Sequence, residues 1–178
     1  MKLKQHIPNA ISTFRGLLTV SLLPLFFLPH SRIIAQVIIV SAILLDKLDG
    51  TLARWWKVES ELGKRLESII DPFQITVAGL YIVLFCGFPA NIFFIGLSVC
   101  GMVTLWRMIV SIRMKKLFYE KSPISRVGAG LAYVTIFFFL FTLPGRNLMA
   151  WLMLAYTLLM CANYARMISR AYKRTTTR

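Results

Sequence analysis

Residues 33–56, IIAQVIIVSAILLDKLDGTLARWW, join a long apolar run to two aspartates, Asp46 and Asp49. The block is long enough for a membrane helix, which needs about 20 residues. A helix that only crossed a bilayer would not need two acids near its C-terminal end, where the helix dipole disfavours anions. This stretch therefore predicts a membrane helix with a charged site at one end, and something positive must offset its acids.

The chain contains six apolar blocks. They cover Ser12–Leu28, Ile33–Trp56, Leu66–Phe85, Ile92–Met114, Val127–Leu143 and Leu148–Ile168. Hydrophobic residues make up 57% of the 178 residues, above the soluble average of about 45–50%. We expect an all-α integral membrane bundle of six transmembrane helices, built as one domain over residues 1–178. A short interfacial segment, residues 1–8, is expected to precede the first span, with a turn at Pro8-Asn9. No cleaved signal peptide is expected.

Basic residues alternate along the chain with the apolar blocks. The sequence has 21 Lys and Arg against 7 acids, a net charge of +14. The basic residues gather before the first block, after the second, after the fourth and after the sixth, which is the positive-inside pattern. This pattern predicts that both termini and the acids face the cytoplasm, as in a bacterial inner membrane. The charge therefore points to the lipid bilayer and its anionic headgroups as partner, and no nucleic acid is expected.

Four acids have the spacing of a metal site: Asp46 and Asp49 at i, i+3, and Glu67 and Asp71 at i, i+4. Each pair lies on one face of a helix, and two antiparallel helices joined by a short loop would bring the pairs together. Clustered carboxylates in apolar surroundings repel each other and protonate unless a cation neutralises them. Carboxylate oxygens suit Mg²⁺ or Mn²⁺, and magnesium held this way often completes its shell with phosphate oxygens. We therefore expect a diphosphate-bearing substrate.

The spacing Asp46-x2-Asp49-Gly50-x2-Ala53-Arg54-x8-Gly63-x3-Glu67-x3-Asp71 closely resembles the signature of the CDP-alcohol phosphatidyltransferases, D-x2-D-G-x2-A-R-x8-G-x3-D-x3-D. Glu67 is the one departure, because the family has aspartate there. The opening Ile7-Pro8-Asn9-x2-Ser12-x2-Arg15 is also similar to the family's I-P-N-x-L-T-x2-R.

The resemblance implies an enzyme that transfers a phosphatidyl group from CDP-diacylglycerol to an alcohol and releases CMP. It implies metal ligands at Asp46, Asp49, Glu67 and Asp71, with Asp71 also the general base. It implies CDP-binding positions at Asp49, Gly50, Ala53, Arg54 and Gly63. A homodimer is expected by analogy with the family.

The acceptor alcohol is indicated by three arginines, Arg107, Arg113 and Arg126. Arg107 lies inside an apolar block, where an arginine is by default a functional-site hypothesis, and the three together would bind the phosphate of a phosphorylated acceptor. Residues 106–113 resemble the R-E-x-x-V-S-x-x-R stretch of phosphatidylglycerophosphate synthases, without its glutamate. Glycerol 3-phosphate is therefore the favoured acceptor, while inositol phosphate, serine and a lipid alcohol remain open.

Two other classes of function stay open. One is a catalytically impaired relative that binds a lipid or nucleotide as a scaffold membrane protein, which the departure at Glu67 would favour. The other is a small cation transporter, which is disfavoured because the acids gather at one membrane face instead of spreading across its depth.

Overall fold

The protein was analysed as a computed structural model that describes residues 2–28, 32–56, 61–114 and 123–176. Side chains are described within these ranges except at 2–6, 53, 54, 61, 62, 64–68, 107, 111–114, 123–126 and 170–176. The helices are α1 Lys2–Val20, α2 Arg32–Trp55, α3 Glu61–Phe85, α4 Ala90–Met114, α5 Pro123–Leu140 and α6 Arg146–Thr176, with a short 3₁₀ helix Leu23–Phe26 after α1. No strand occurs in the described ranges, so the prediction of an all-α fold with six helices is confirmed.

Three stretches of the described chain are long and apolar enough to cross a membrane: Ile7–Phe26, Ala90–Val110 and Arg146–Ser169. Shorter apolar segments occupy Ile69–Phe85 in α3 and Val127–Leu140 in α5. Many large apolar side chains point outward from the helices, as Leu44 and Trp151 do, with 64% and 59% of their surface exposed. Because soluble proteins rarely expose such extensive apolar surface, these outward faces fit contact with lipid.

The N-terminal helix is continuous through Pro8, so the expected turn at Pro8-Asn9 is wrong. A proline removes a single backbone hydrogen bond from a helix, and its fixed φ is compatible with helical backbone. Pro8 is also buried, so its packing helps to offset that loss. The segment expected to lie at the membrane interface is therefore the first part of α1.

The helices form two compact units, Met1–Phe85 and Cys86–Arg178. In the first unit, α1 is the central element, because it packs along both α2 and α3. Three aromatic rings pack together in this unit. The centroid of the Phe26 ring lies 5.7 Å from that of Tyr81, and the centroid of Tyr81 lies 4.8 Å from that of Phe85.

In the second unit, α6 packs against both α4 and α5. The Phe88 and Phe139 rings meet edge to face with their centroids 4.7 Å apart. Gly128 allows α5 and α6 to approach closely, because a Cβ at this position would lie 3.0 Å from the Tyr156 ring. Small residues at such crossings are typical of helix packing in membranes.

Candidate functional site

One face of α1 and of the turn that follows it is buried from Pro8 to Leu22 and becomes polar in the middle. Its members recur at intervals of four and three residues, which places them on one side of a helix. They are Pro8, Ser12, Arg15, Thr19 and Leu22. An apolar membrane helix that buries a serine, an arginine and a threonine needs polar partners for them, and three of those partners are signature acids.

Arg15 connects the first and the last acid of the signature. Its Nη1 donates to Oδ1 of Asp46 on α2, and its Nη2 donates to Oδ1 of Asp71 on α3 at 2.7 Å. The Arg15 side chain is 0% exposed, whereas the side chains of Asp46 and Asp71 are 18% and 32% exposed. The guanidinium therefore lies beneath the two carboxylates, which remain accessible from outside.

Ser12 binds the second aspartate of the signature. Its Oγ lies 2.6 Å from Oδ2 of Asp49 and 3.1 Å from the carbonyl oxygen of Pro8. A hydroxyl has one proton, and the shorter contact to a charged acceptor is the stronger of the two. Asp49 is 3% exposed, so Ser12 sets the direction of a buried carboxylate.

The first and last acids of the signature, on α2 and α3, both contact α1. In the described residues, α1 packs extensively on both helices, while contact between α2 and α3 is minor at most. The expectation that two antiparallel helices joined by a short loop would bring the acid pairs together stays a prediction for Glu67, whose side chain lies outside those that the structure describes. Asp46 and Asp71 do converge, but the side chain that joins them comes from a third helix.

The other signature positions are described less fully. Gly50 on α2 and Gly63 on α3 are both half-buried. The side chains of Ala53, Arg54 and Glu67 lie outside those that the structure describes, and so their predicted contacts stay predictions. The side chains of the three arginines predicted to bind the acceptor also lie outside those that the structure describes, and their role stays a prediction: Arg107, Arg113 and Arg126.

The acids fit a divalent cation in charge and in donor type. The described part of the site brings the side chains of three acids, Asp46, Asp49 and Asp71, to one arginine and one serine of α1, so that the acids outnumber the arginine. All the donors are carboxylate oxygens, the ligands that Mg²⁺ and Mn²⁺ prefer. Among the described side chains, no three His, Cys, Asp or Glu groups converge on a single ion position, and the Arg15 guanidinium lies between Asp46 and Asp71.

Gln74 lies one helical turn beyond Asp71 on α3. It is 2% exposed, and neither its Nε2 nor its Oε1 has a hydrogen-bond partner among the described residues. A buried, unpaired amide is unfavourable by about 1–3 kcal/mol. The first unit therefore contains a polar group near the acids that its own described side chains do not satisfy.

Sequence reasoning assigned no role to Ser12 or Arg15, although the signal was present. Arg15 lies within an apolar stretch, as Arg107 does, and the rule that makes an intramembrane arginine a functional candidate applies to both. The burial of Ser12, Arg15 and Thr19 on one face is also visible as a spacing of three and four residues. The sequence does not say which helix that face meets.

The fold and the site define a helical integral membrane protein with carboxylates gathered around one buried arginine. The chain belongs to the CDP-alcohol phosphatidyltransferase family, whose model matches residues 5–162 and so extends over both units. Members of this family are phosphotransferases for substituted phosphate groups, which transfer a phosphatidyl group from a CDP-alcohol to an alcohol acceptor in phospholipid biosynthesis. They generally depend on divalent metal ions. Comparison with curated protein sequences gives no match to the chain.

Proposed function

We propose that the protein transfers the phosphatidyl group of CDP-diacylglycerol to a small alcohol and releases CMP. The observation that carries this proposal is the convergence of Asp46 and Asp71 on Arg15, since it unites the first and last signature acids in one partly accessible site. The family match supports the same reaction class. Glycerol 3-phosphate is the proposed acceptor.

We assign the metal to the four signature acids, Asp46, Asp49, Glu67 and Asp71. The proposed ion is Mg²⁺, with Mn²⁺ as a substitute, because every donor is a carboxylate oxygen. When bound, such an ion would neutralise charge on the diphosphate and on the departing CMP. The buried Asp49 is held toward the site by Ser12, which limits the geometries that it can adopt.

Asp71 is the proposed general base. Its side chain is 32% exposed, so an acceptor hydroxyl can approach it. Asp71 takes the hydroxyl proton while the hydroxyl oxygen forms a bond to the phosphorus of the phosphatidyl group. The bond from that phosphorus to the CMP oxygen then breaks, and CMP leaves with the bonding electrons.

Nucleotide binding is assigned to five positions of the signature. Its proposed members are Asp49, Gly50, Ala53, Arg54 and Gly63. Gly50 supports this assignment because it follows the buried Asp49 and leaves the helix backbone open to a ligand.

The acceptor phosphate is assigned to Arg107, Arg113 and Arg126, as their basic character and their place in the sequence indicate. The alternation of basic residues supports a site that faces the cytoplasm, in a bacterial inner membrane. A homodimer is proposed from the family alone.

The proposal is tested with purified protein in liposomes that contain CDP-diacylglycerol labelled in its phosphatidyl group. Glycerol 3-phosphate, inositol phosphate, serine and a lipid alcohol are offered separately, with Mg²⁺ or with EDTA. We expect CMP release and a labelled phospholipid with glycerol 3-phosphate only, and neither product in EDTA. Transfer to another acceptor would correct the substrate, whereas metal-independent transfer would reject the proposed site.

Glu67 supports one second candidate, a catalytically impaired relative that binds the CDP-lipid without turning it over. Glutamate is one methylene longer than the family's aspartate, and small displacements of catalytic groups can reduce rates strongly. Glu67→Asp separates the two possibilities. An active native protein that still requires Mg²⁺ supports the enzyme, while activity that appears only in Glu67→Asp supports the impaired relative.

A further inference from the structure

Arg15 contacts two of the acids to which the metal ion is assigned above. Its two Nη atoms contact one oxygen each of Asp46 and Asp71, two of the proposed metal ligands, and its side chain is entirely buried. A planar guanidinium suits this arrangement because its fork presents parallel donors to two acceptors. The Nε of Arg15 has no hydrogen-bond partner among the described residues. Within the described part of the chain, the guanidinium is therefore bound by the two carboxylates.

The positive charge between Asp46 and Asp71 is provided by the protein itself, through Arg15. Without a cation, the carboxylates of Asp46 and Asp71 would lie near each other in surroundings of low dielectric, where like charges repel strongly. Arg15 supplies a single positive charge to both of them. A divalent ion bound to the same oxygens would replace those hydrogen bonds and meet the guanidinium at close range.

We propose that Arg15 is the internal counter-cation of the metal-free site and competes with the divalent ion for Asp46 and Asp71. This inference rests on one part of the proposed function, the binding of the metal by the signature acids. Arg15 is a positioning residue: it keeps the carboxylates of α2 and α3 together before the ion binds, and it weakens the affinity for the ion. Arg15 thus has two opposite effects on the metal affinity of the native protein: it raises the affinity by holding the carboxylates together, and it lowers the affinity by competing with the ion for them.

The test is Mn²⁺ binding to the detergent-solubilised full chain without any CDP-lipid, measured by electron paramagnetic resonance of free Mn²⁺. Arg15→Gln removes the competing charge and leaves a side chain of similar length. We expect it to bind Mn²⁺ about tenfold more tightly or better, because one positive charge no longer opposes the ion. Arg32→Gln is the matched control, since it removes the same group from an exposed position on α2 and should leave the Mn²⁺ affinity unchanged.

Thermal unfolding supplies a second readout. Metal-free Arg15→Gln should melt below the native protein, because its carboxylates lose their counter-charge, and saturating Mn²⁺ should raise its melting temperature by more than it raises the native one. A purely structural role for Arg15 predicts the opposite binding result, a weaker or unchanged Mn²⁺ affinity together with the lower melting temperature.

If Arg15→Gln does not fold, Arg15→Lys takes its place. Lysine keeps the charge but presents a single ammonium that reaches the two carboxylates less well, and Mn²⁺ should bind more tightly than to the native protein by a smaller factor. Weaker or equal binding in the variant, or no Mn²⁺ binding by any form of the chain, overturns the inference. Because no CDP-lipid is present, an absence of phosphatidyl transfer in the liposome assay leaves this result standing.

Discussion

The hydroxyl of Ser12 on α1 donates a 2.6 Å hydrogen bond to Oδ2 of Asp49 on α2, and both residues are buried. Asp49 is the second acid of the family signature, so a residue outside that signature orients one of its carboxylates. Arg15, on the same face of α1, contacts Asp46 and Asp71. The first helix is therefore part of the site.

Ser12→Ala should decrease both stability and activity. The hydrogen bond ends on a charged acceptor, and we expect its loss to lower the free energy of unfolding by about 1.5–3 kcal/mol. Thr13→Ala is the control, because the exposed Thr13 hydroxyl donates to the Asn9 carbonyl of its own helix. Denaturant unfolding in detergent and CMP release measure the two effects. Equal losses in both variants would show that Ser12 does not orient Asp49.

Asp71→Asn should remove the proposed general base while leaving a side chain that still accepts a hydrogen bond from Arg15. General-base catalysis contributes about 10²–10⁴-fold to a rate, and we expect a loss of CMP release of that order. Glu120→Gln is the control, since Glu120 is the one acid outside residues 46–71. Transfer by Asp71→Asn at the native rate would assign the base to another group.

Gln74→Met should stabilise the protein. The buried amide of Gln74 is unpaired among the described residues, and an apolar side chain of similar shape removes a penalty of about 1–3 kcal/mol. Gln36→Met is the control, because Gln36 has an interaction partner and should gain no stability. Denaturant unfolding reports both variants. A loss of stability in Gln74→Met would mean that a ligand or a bound water pairs with the amide.

Gly128→Ala should loosen the packing of α5 on α6. Its Cβ would lie 3.0 Å from Cε1 of Tyr156 and 3.2 Å from Sδ of Met160, and overpacking of this kind destabilises by about 1–3 kcal/mol. Gly130→Ala is matched on the same helix, with no described atom within 4 Å of its Cβ. It should stabilise by about 0.5–1 kcal/mol through helix propensity. Unfolding curves that move in the same direction would contradict the packing argument.

Thr142→Gly should stabilise the turn that ends α5. Thr142 has a φ of 52°, a conformation that is unfavourable for residues with a β-carbon by about 1–2 kcal/mol. The turn is well defined: the N–H of Leu143 donates to the Phe138 carbonyl at 2.9 Å, and that of Thr142 donates to Phe139 at 3.2 Å. We expect a gain of about 1 kcal/mol in the free energy of unfolding. Thr142→Ala retains the Cβ and should show no such gain.

Much of the fold is predictable from local sequence because hydropathy is a local property. The six apolar blocks correspond to the six helices, although some ends differ. Polar residues extend α3 at its start and α6 at its end, whereas α1 runs from Lys2 to Val20 and so both begins and ends earlier in the chain than its block, Ser12–Leu28. Pro8 is the instructive failure. Its effect depends on whether neighbouring helices bury it, which its own segment does not reveal.

The sequence by itself determined the membrane class, the helix count and the identity of the acids, because each follows from residues close together in the chain. Only the tertiary structure decided that α1 lies against both α2 and α3 and that Arg15 joins Asp46 to Asp71. These partners are 31 and 56 residues from Arg15 along the chain. Contacts over such separations depend on which helix faces pack together, and several packings would bury the same apolar stripes. The buried charge selects among them, because Arg15 in an apolar helix needs carboxylates within reach.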